Sequence, residues 1–331
     1  MTNKTPIPDY SSLIDVQTHA FIQRSAAAFP ENAATLDIKQ QRALYDAMCR
    51  EFHAGYPSGI VSTDTLIADV ESWQIPVRQY TQYSSSNTPF KVQIIYLHGG
   101  GFVVGSLESH DDVCAEICDR TSAPVTSVDY RLSPEHKHPA ALNDTMQVID
   151  YLHHNHPQPI VLCGDSAGAN LCAAACHAYR DRGNTEQALP DIIGQVLIYP
   201  GLGGDIEHGS YVTHAHSPML STEDVHFYSN VRCDEDMNAR DPLLAPLLDS
   251  EFSQLPPTVV FGAECDPLCD DGERYCQHIA GAGGKAHWVK ERGLVHGYLR
   301  ARHSVDRAAM SFNRIVDAIN SLADRRWPYP P

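Results

Sequence analysis

The chain has 331 residues, 43% of them hydrophobic, and is therefore long enough to bury one large core. Its 41 aspartates and glutamates outnumber its 24 lysines and arginines, and the formal net charge of −17 argues against nucleic acid or an anionic membrane as a partner. No run of 18 apolar residues is present and residues 1–10 lack the apolar segment of a signal peptide, which favours a cytoplasmic protein without a membrane span.

The first predicted elements are two helices, at residues 11–29 and 37–53, which the pattern separates at Pro30. Two strands are predicted next, one around residues 60–61 and one at 73–80, and we expect them to be antiparallel. The polar run at residues 84–87 predicts a turn after them.

From residue 91 onward, predicted strands alternate with predicted helices, and with the two earlier strands they number eight. This alternation is typical of an α/β protein with a mainly parallel sheet that helices cover on both faces. The strands are expected near residues 91–97, 124–130, 159–164, 193–199, 257–264 and 286–291, and the helices near residues 109–121, 139–154, 167–182, 270–281 and 298–323.

The loop after the first of these parallel strands reads His-Gly-Gly-Gly-Phe at residues 98–102. Three consecutive glycines allow bare backbone to approach a ligand and to turn its N–H groups toward it. Such donors can stabilise the oxyanion that forms when a serine attacks a carbonyl carbon. We therefore assign the oxyanion hole to the N–H groups of Gly99 and Gly100 in this loop and to that of Ala167.

Residues 164–168 read Gly-Asp-Ser-Ala-Gly and lie between a predicted strand and a predicted helix. A strand, a very tight turn and a helix form the context that a nucleophile elbow requires. The two glycines remove side chains that would collide with the neighbouring strand and helix. Ser166 is thus predicted to lie in a strained turn, with its hydroxyl exposed and a helix N-terminus beneath it.

One interval, residues 200–256, interrupts the alternation because it contains no predicted strand. Residues 221–224 read Ser-Thr-Glu-Asp, which is typical of a helix start, and the helix is expected to end near residue 231. An insertion at this point of the chain would lie over the carboxyl ends of the parallel strands.

An acid and a histidine should follow the serine in chain order if it is a nucleophile of this type. Asp266 comes just after the predicted strand at residues 257–264, and Glu264 is a rival that lies at the strand end itself. Asp270 and Asp271 fit better as first-turn residues of the next helix. His296 is the one histidine between the last predicted strand and the last helix. We therefore predict that Ser166, Asp266 and His296 form a catalytic triad.

Five motifs together resemble the hormone-sensitive-lipase-like branch of the α/β-hydrolases, which includes bacterial carboxylesterases. The resemblance covers roughly residues 60–320, and the segment 261–271 looks most like the bacterial acetyl esterases of that branch. The motifs are the glycine loop at 98–102, Asp-Tyr-Arg-Leu-Ser-Pro-Glu at 129–135, Gly-Asp-Ser-Ala-Gly-Ala-Asn at 164–170, Asp-Pro-Leu at 266–268 and His-Gly at 296–297.

The resemblance implies an α/β-hydrolase fold with one catalytic domain. Residues 56–200 and 256–331 would form its core, while the helices in residues 1–55 and the insertion 201–255 would form a helical cap. It also implies a serine carboxylesterase that cleaves short-chain esters, acetyl to hexanoyl, through an acyl-enzyme on Ser166. Two alternatives remain open: an amidase or peptidase with the same triad, and a non-catalytic ligand-binding module on this fold.

We expect no metal and no organic cofactor, because ester hydrolysis by a triad needs neither. The histidine clusters in the loops have no Asp, Glu or Cys companions at a familiar metal-ligand spacing, and the 10 cysteines include no Cys-x-x-Cys. The expected partner is a small-molecule ester. Capped members of this family often form dimers, so the resemblance is compatible with a homodimer, but the sequence does not fix the oligomeric state.

Overall fold

An eight-stranded sheet forms the centre of the protein in the computed structural model, which describes residues 8–29, 36–68, 73–83, 90–183, 189–234 and 241–330. The strands in chain order are β1 (Ile60–Ala68), β2 (Gln74–Gln82), β3 (Gln93–Leu97), β4 (Val125–Val128), β5 (Ile160–Asp165), β6 (Ile192–Ile198), β7 (Thr258–Cys265) and β8 (Ala286–Val295). Their spatial order is β1-β2-β4-β3-β5-β6-β7-β8. β2 is antiparallel to both of its neighbours, whereas β3 to β8 are mutually parallel.

Helices connect the parallel strands, and two short 3₁₀ helices, Pro246–Leu248 and Tyr298–Ala301, lie in the second half of the chain. The α-helices of the described residues are α1 (Tyr10–Leu13), α2 (Val16–Ala28), α3 (Ile38–Arg50), α4 (Asp111–Thr121), α5 (Ala140–Asn155), α6 (Ala167–Arg182), α7 (Ser210–Thr213), α8 (Thr222–Arg232), α9 (Cys269–Gly281) and α10 (Asp306–Ala323).

Two apolar layers pack against the two faces of the sheet, because successive side chains of a strand point to opposite sides. In β3, Ile94 and Tyr96 belong to the layer that contains α4 and α10, whereas Ile95 and Leu97 belong to the layer that contains α5, α6 and α9. Burial on both faces explains why the central strands are continuous apolar runs rather than alternating patterns.

The predicted eight strands, their mainly parallel arrangement and the antiparallel start are confirmed. The helix predicted at residues 11–29 is wrong in one respect: it is divided into α1 and α2, because Asp15 adopts an extended conformation and accepts the Thr18 N–H as an N-cap. The last predicted helix is also divided, since a 3₁₀ turn precedes α10. Pro30 and the turn predicted at 84–87 lie outside the described residues.

All ten cysteines are buried and free. Burial in apolar surroundings raises the pKa of each of these thiols, to about 11 for Cys49 and to about 12 for Cys118 and Cys265. In the part of the chain that the structure describes, no helix combines the length and apolar character needed to cross a membrane.

Candidate active site

Strand β5 passes into helix α6 through a single residue, Ser166. Its φ of 52° and ψ of −115° are strained for a residue with a side chain, and its N–H donates to Ile198 O at 2.8 Å. An ideal Cβ at Gly168 would lie 1.9 Å from Leu97 O, and one at Gly164 would lie 2.7 Å from the Gly168 carbonyl carbon. The close approach of this turn to β3 therefore explains both glycines.

The three residues predicted as a triad are in mutual contact at the carboxyl ends of β5, β7 and β8. Ser166 Oγ donates to His296 Nε2 at 2.9 Å, and His296 Nδ1 donates to Asp266 Oδ2 at 2.7 Å. Asp266 is fully buried, and its other carboxylate oxygen accepts the Leu268 N–H at 2.9 Å. Because a carboxylate accepts hydrogen bonds, Asp266 favours the imidazole tautomer with its proton on Nδ1. His296 Nε2 is then free to accept the serine proton.

The other acids near the end of β7 have different partners. Glu264 accepts the Gly293 N–H at 2.8 Å, which joins β7 to the bulged part of β8. Asp270 and Asp271 lie in the first turn of α9, as the sequence predicts. Their carboxylates also accept N–H groups of the segment 202–210, a role that the sequence pattern does not reveal. This segment is thereby fixed above the carboxyl ends of the strands.

The glycine loop places its three N–H groups in different surroundings. Gly99 N–H donates to Asp165 Oδ1 at 2.9 Å, beneath the loop. This donor is engaged and unavailable to an oxyanion, which corrects the prediction for Gly99. Gly100 and Gly101 have φ values of 131° and 61°, and together with Ala167 they line the cavity that contains Ser166. Which of three adjacent glycines turns its N–H inward depends on these dihedral angles and cannot be read from the motif.

A buried carboxylate, Asp165, supports the loop from below. Its Oδ1 accepts the Tyr96 hydroxyl at 2.8 Å and lies 3.1 Å from His110 Nε2, and its Oδ2 accepts the Tyr199 hydroxyl at 3.3 Å. Burial by itself would raise the pKa of Asp165, but His110 and the hydrogen bonds from Tyr96 and from the Gly99 N–H lower it to about 2. This residue is therefore a fixed negative charge next to the nucleophile.

His98, the first residue of the glycine loop, is a neutral supporting side chain. Burial lowers the pKa of its imidazole to about 4. Its Nδ1 donates to Gly99 O at 2.8 Å, and its ring stacks on Tyr130 with the centroids 4.3 Å apart. The Tyr130 hydroxyl donates to His98 O at 2.6 Å. These contacts hold the backbone of the loop without contacting Ser166.

A cavity of about 450 Å³ opens above Ser166. Its walls come from α3, the glycine loop, the segments 201–232 and 244–248, and the turn after His296. Sequence patterns did not identify four polar side chains in this wall, because no motif marks them: Tyr45, Tyr228, Arg232 and Arg300. Among the described residues, no three His, Cys, Asp or Glu side chains are grouped so as to hold a metal ion.

Comparisons with known proteins show which family the chain resembles. A family model described as alpha/beta hydrolase fold matches residues 94–300. The carboxylic ester hydrolase LipN of Mycobacterium tuberculosis is 30% identical over 297 residues, which cover 87% of this chain and 77% of that protein. The ethyl acetate hydrolase of Pseudomonas putida is 28% identical over 263 residues, which cover 78% of this chain and 81% of that protein.

Solved structures extend the likeness to the whole fold. A hyperthermophilic esterase from the archaeon Pyrobaculum calidifontis superimposes with a TM-score of 0.84 at 29% identity, covering 94% of this chain and 99% of that one. The residues that the family model matches, 94–300, include the glycine loop, the serine turn, Asp266 and His296. The chain therefore belongs to the alpha/beta hydrolase fold family, in its hormone-sensitive-lipase-like branch.

Proposed function

We propose that this protein hydrolyses carboxylic esters through an acyl-enzyme on Ser166. The observation that carries the proposal is the continuous hydrogen-bond chain from Ser166 through His296 to Asp266 at the base of the cavity. His296 takes the proton of Ser166 as the hydroxyl oxygen attacks the ester carbonyl, and Asp266 stabilises the resulting imidazolium without becoming protonated. His296 then gives the proton to the departing alcohol. Water repeats the two steps on the acyl-enzyme.

The oxyanion hole in this proposal consists of the N–H groups of Gly100, Gly101 and Ala167. Gly101 replaces Gly99 in the sequence-based assignment, because the Gly99 N–H donates to Asp165. All three proposed donors belong to residues that line the cavity. Ala167 is also the first residue of α6, where the helix dipole favours negative charge.

We further propose that the N-terminal helices within residues 1–55 and the insertion 201–255 act as a cap on the core formed by 56–200 and 256–331. Both parts contribute to the cavity wall: Tyr45 lies in α3, and Tyr228 lies in α8. A wall to which both parts contribute restricts the space above Ser166, so the favoured substrates are acetyl to hexanoyl esters. The ethyl acetate hydrolase among the relatives supports a short acyl group.

Covalent labelling tests the nucleophile directly. A fluorophosphonate should add one phosphonyl group to the wild-type protein and none to Ser166→Ala, whereas Ser304→Ala, which changes an exposed serine, should be labelled like the wild type. Ser166→Ala and His296→Ala should each lower kcat for 4-nitrophenyl acetate by about 10⁶-fold, with little further loss when combined. Labelling of Ser166→Ala, or substantial turnover by either variant, would refute the assignment.

Substrate series test the reaction class and the chain length. Across 4-nitrophenyl esters, kcat/KM should be highest between two and six acyl carbons, and a maximum at ten or more would refute the short-chain proposal. Matched 4-nitroanilides should react far more slowly than the esters, since an amine leaves less readily than an alcohol. Comparable rates would favour an amidase, and labelling without turnover of any ester would favour a binding module.

A further inference from the structure

Two arginines in the cavity wall lack the carboxylate partner that another buried arginine of this protein has. Arg302 is 3% exposed, and its guanidinium lies 2.5 Å from Asp112 and 2.8 Å from Glu116. Arg232 is 7% exposed, yet no carboxylate lies within 4 Å of its guanidinium in the described parts of the chain. Arg300 is partly exposed and also has no carboxylate within 4 Å among the described residues. A charge that lacks both water and a partner is unfavourable, so an anion in the cavity would stabilise these two guanidinium groups.

Arg300 has hydrogen-bond donors to spare. It lies in the 3₁₀ turn that begins two residues after His296, and its Nη2 lies 2.7 Å from an ideal Cβ on Gly297. Nη1 donates to the Tyr45 hydroxyl at 3.0 Å, and the guanidinium lies 5.6 Å from the centre of that ring. Its Nε is buried without a partner and is closed to a ligand, whereas Nη2 donates to no acceptor among the described residues. The contacts with Tyr45 therefore hold the guanidinium in place, and some of its N–H donors make no hydrogen bond.

Arg232 supplies charge rather than free donors. Its two Nη groups donate to Leu244 O and to Asn170 Oδ1, both at 2.9 Å, and its guanidinium lies 3.6 Å from the centre of the Phe102 ring. Burial lowers the pKa of this guanidinium to about 9, because the opposing effect of its surroundings, which include Asp241, is smaller, and the group is still charged at neutral pH.

The cavity is therefore positively charged in a protein that is strongly acidic overall. Asp165 is the one acid among the described residues that line the cavity, and its two oxygens already have partners in Tyr96, Tyr199, His110 and the Gly99 N–H. The formal charge of the whole chain is −17. A positively charged cavity does not favour the binding of a neutral ester, whereas it does favour the binding of an anionic one.

We propose that the substrate is an ester whose alcohol part bears a carboxylate, an O-acyl hydroxycarboxylate, and that Arg300 binds this carboxylate. The inference rests on the proposed esterase function. His296 must protonate the leaving oxygen, so the alcohol part lies beside His296, and Arg300 follows His296 by four residues against Gly297. Water adds across the acyl–oxygen bond to give a short carboxylic acid and the free hydroxycarboxylate. Arg300 forms no bond in the reaction and acts by positioning.

Matched ester pairs separate this proposal from general esterase activity. On the alcohol side, 4-acetoxybenzoate is compared with its neutral methyl ester, and on the acyl side mono-(4-nitrophenyl) adipate is compared with 4-nitrophenyl hexanoate. Each ratio of kcat/KM, anion over neutral, is divided by the same ratio for hydroxide, which removes differences in intrinsic reactivity. The wild-type ratio should be about tenfold or more on the alcohol side. A ratio no greater than that for hydroxide overturns the proposal.

Variants then assign the preference to Arg300. Arg300→Met should lower the alcohol-side ratio about 10- to 100-fold, which is the size expected for a charge-assisted hydrogen bond. Arg300→Lys should restore part of it, and the charge-matched Arg292→Met, at an exposed position outside the cavity, should leave it unchanged. If Arg300→Met does not fold, the wild-type and Arg300→Lys ratios decide.

The two proposals fail in distinguishable ways. Ser166-dependent hydrolysis of the methyl ester without an anion preference would leave the esterase function standing and overturn only the role of Arg300. An anion preference that survives in Arg300→Met would overturn that role as well. An Arg300-dependent preference confined to the adipate pair would place the anion on the acyl side and refute the alcohol assignment. No hydrolysis of any ester would remove both proposals.

Discussion

Asp165→Asn should lower the free energy of unfolding and should also disturb the glycine loop, because the Asp165 carboxylate accepts the Gly99 N–H. Its pKa falls from the ordinary 3.8 to about 2, since His110 and the hydrogen bonds from Tyr96 and the Gly99 N–H outweigh the opposing effect of burial. A shift of this size corresponds to about 2 kcal/mol of folding free energy at neutral pH. Asparagine would also turn an amide N–H₂ toward existing donors, which raises the expected loss to about 2–4 kcal/mol.

The sign of the pH dependence follows from a pKa that is lower in the folded state. The stabilisation by Asp165 is fully present above its unfolded pKa of 3.8 and is lost as the pH falls toward about 2. The difference in unfolding free energy between wild type and Asp165→Asn should therefore be constant from pH 5 to pH 8. Tyr96→Phe, which removes one donor and keeps the carboxylate, should lose about 1 kcal/mol.

Urea unfolding followed by circular dichroism gives the free-energy differences, and 4-nitrophenyl acetate gives the effect on the site. We expect Asp165→Asn to lower kcat/KM at least about tenfold, because the Gly99 N–H loses its charged acceptor and the next two peptides shift. The exposed Asp324→Asn serves as control and should match the wild type. Unfolding of Asp165→Asn within about 0.5 kcal/mol of the wild type at pH 7 would refute the reasoning.

Three further predictions follow from local geometry. Gly168→Ala should destabilise the fold by about 3 kcal/mol, because its Cβ would meet a backbone oxygen of β3, whereas Gly281→Ala, with open space around it, should not; equal thermal midpoints would contradict this. Gly101→Ala should lower kcat about tenfold or more, and adding Tyr228→Ala should restore part of it, since the new methyl would meet that ring; an unrelieved loss in the double variant would refute the clash. Burial raises the pKa of Asp271 to about 6, so its ionisation destabilises the fold as the pH rises through about 4 to 6. Asp271→Asn should therefore raise the thermal midpoint at pH 8, because the unpartnered Oδ1 offers a place for the amide; a lower midpoint would disprove it.

The sheet could be predicted from the sequence because its central strands are buried on both faces. Apolar runs bounded by polar or glycine residues place β3 to β7 within a few residues of their observed ends. β1 is longer than predicted, since residues 62–65 are polar and exposed on an edge strand and carry no apolar signal. β8 also extends to Val295, past Gly293 with its φ of 68°, a position at which the pattern indicates a loop.

Some features of the candidate site could be predicted from sequence motifs, whereas others depend on packing in three dimensions. Ser166, Asp266 and His296 are in contact because each residue follows a strand, and strand ends meet at one edge of a parallel sheet. The direction of each N–H group in the glycine loop depends on the backbone dihedral angles. The motif does not reveal these angles, which is why the oxyanion-hole assignment included Gly99, whose N–H donates to Asp165. Arg300 could not be found from sequence, because its significance is the absence of a carboxylate neighbour in three dimensions.

The shielding of every native thiol makes the protein ready for site-specific fluorescence. A maleimide reacts with exposed thiolates, and the ten native cysteines are neither exposed nor ionised at neutral pH. A single cysteine in place of Phe227, which is 51% exposed on α8, would react alone without any prior removal of native cysteines. A dye at that position would report whether α8 changes its surroundings when an ester is added.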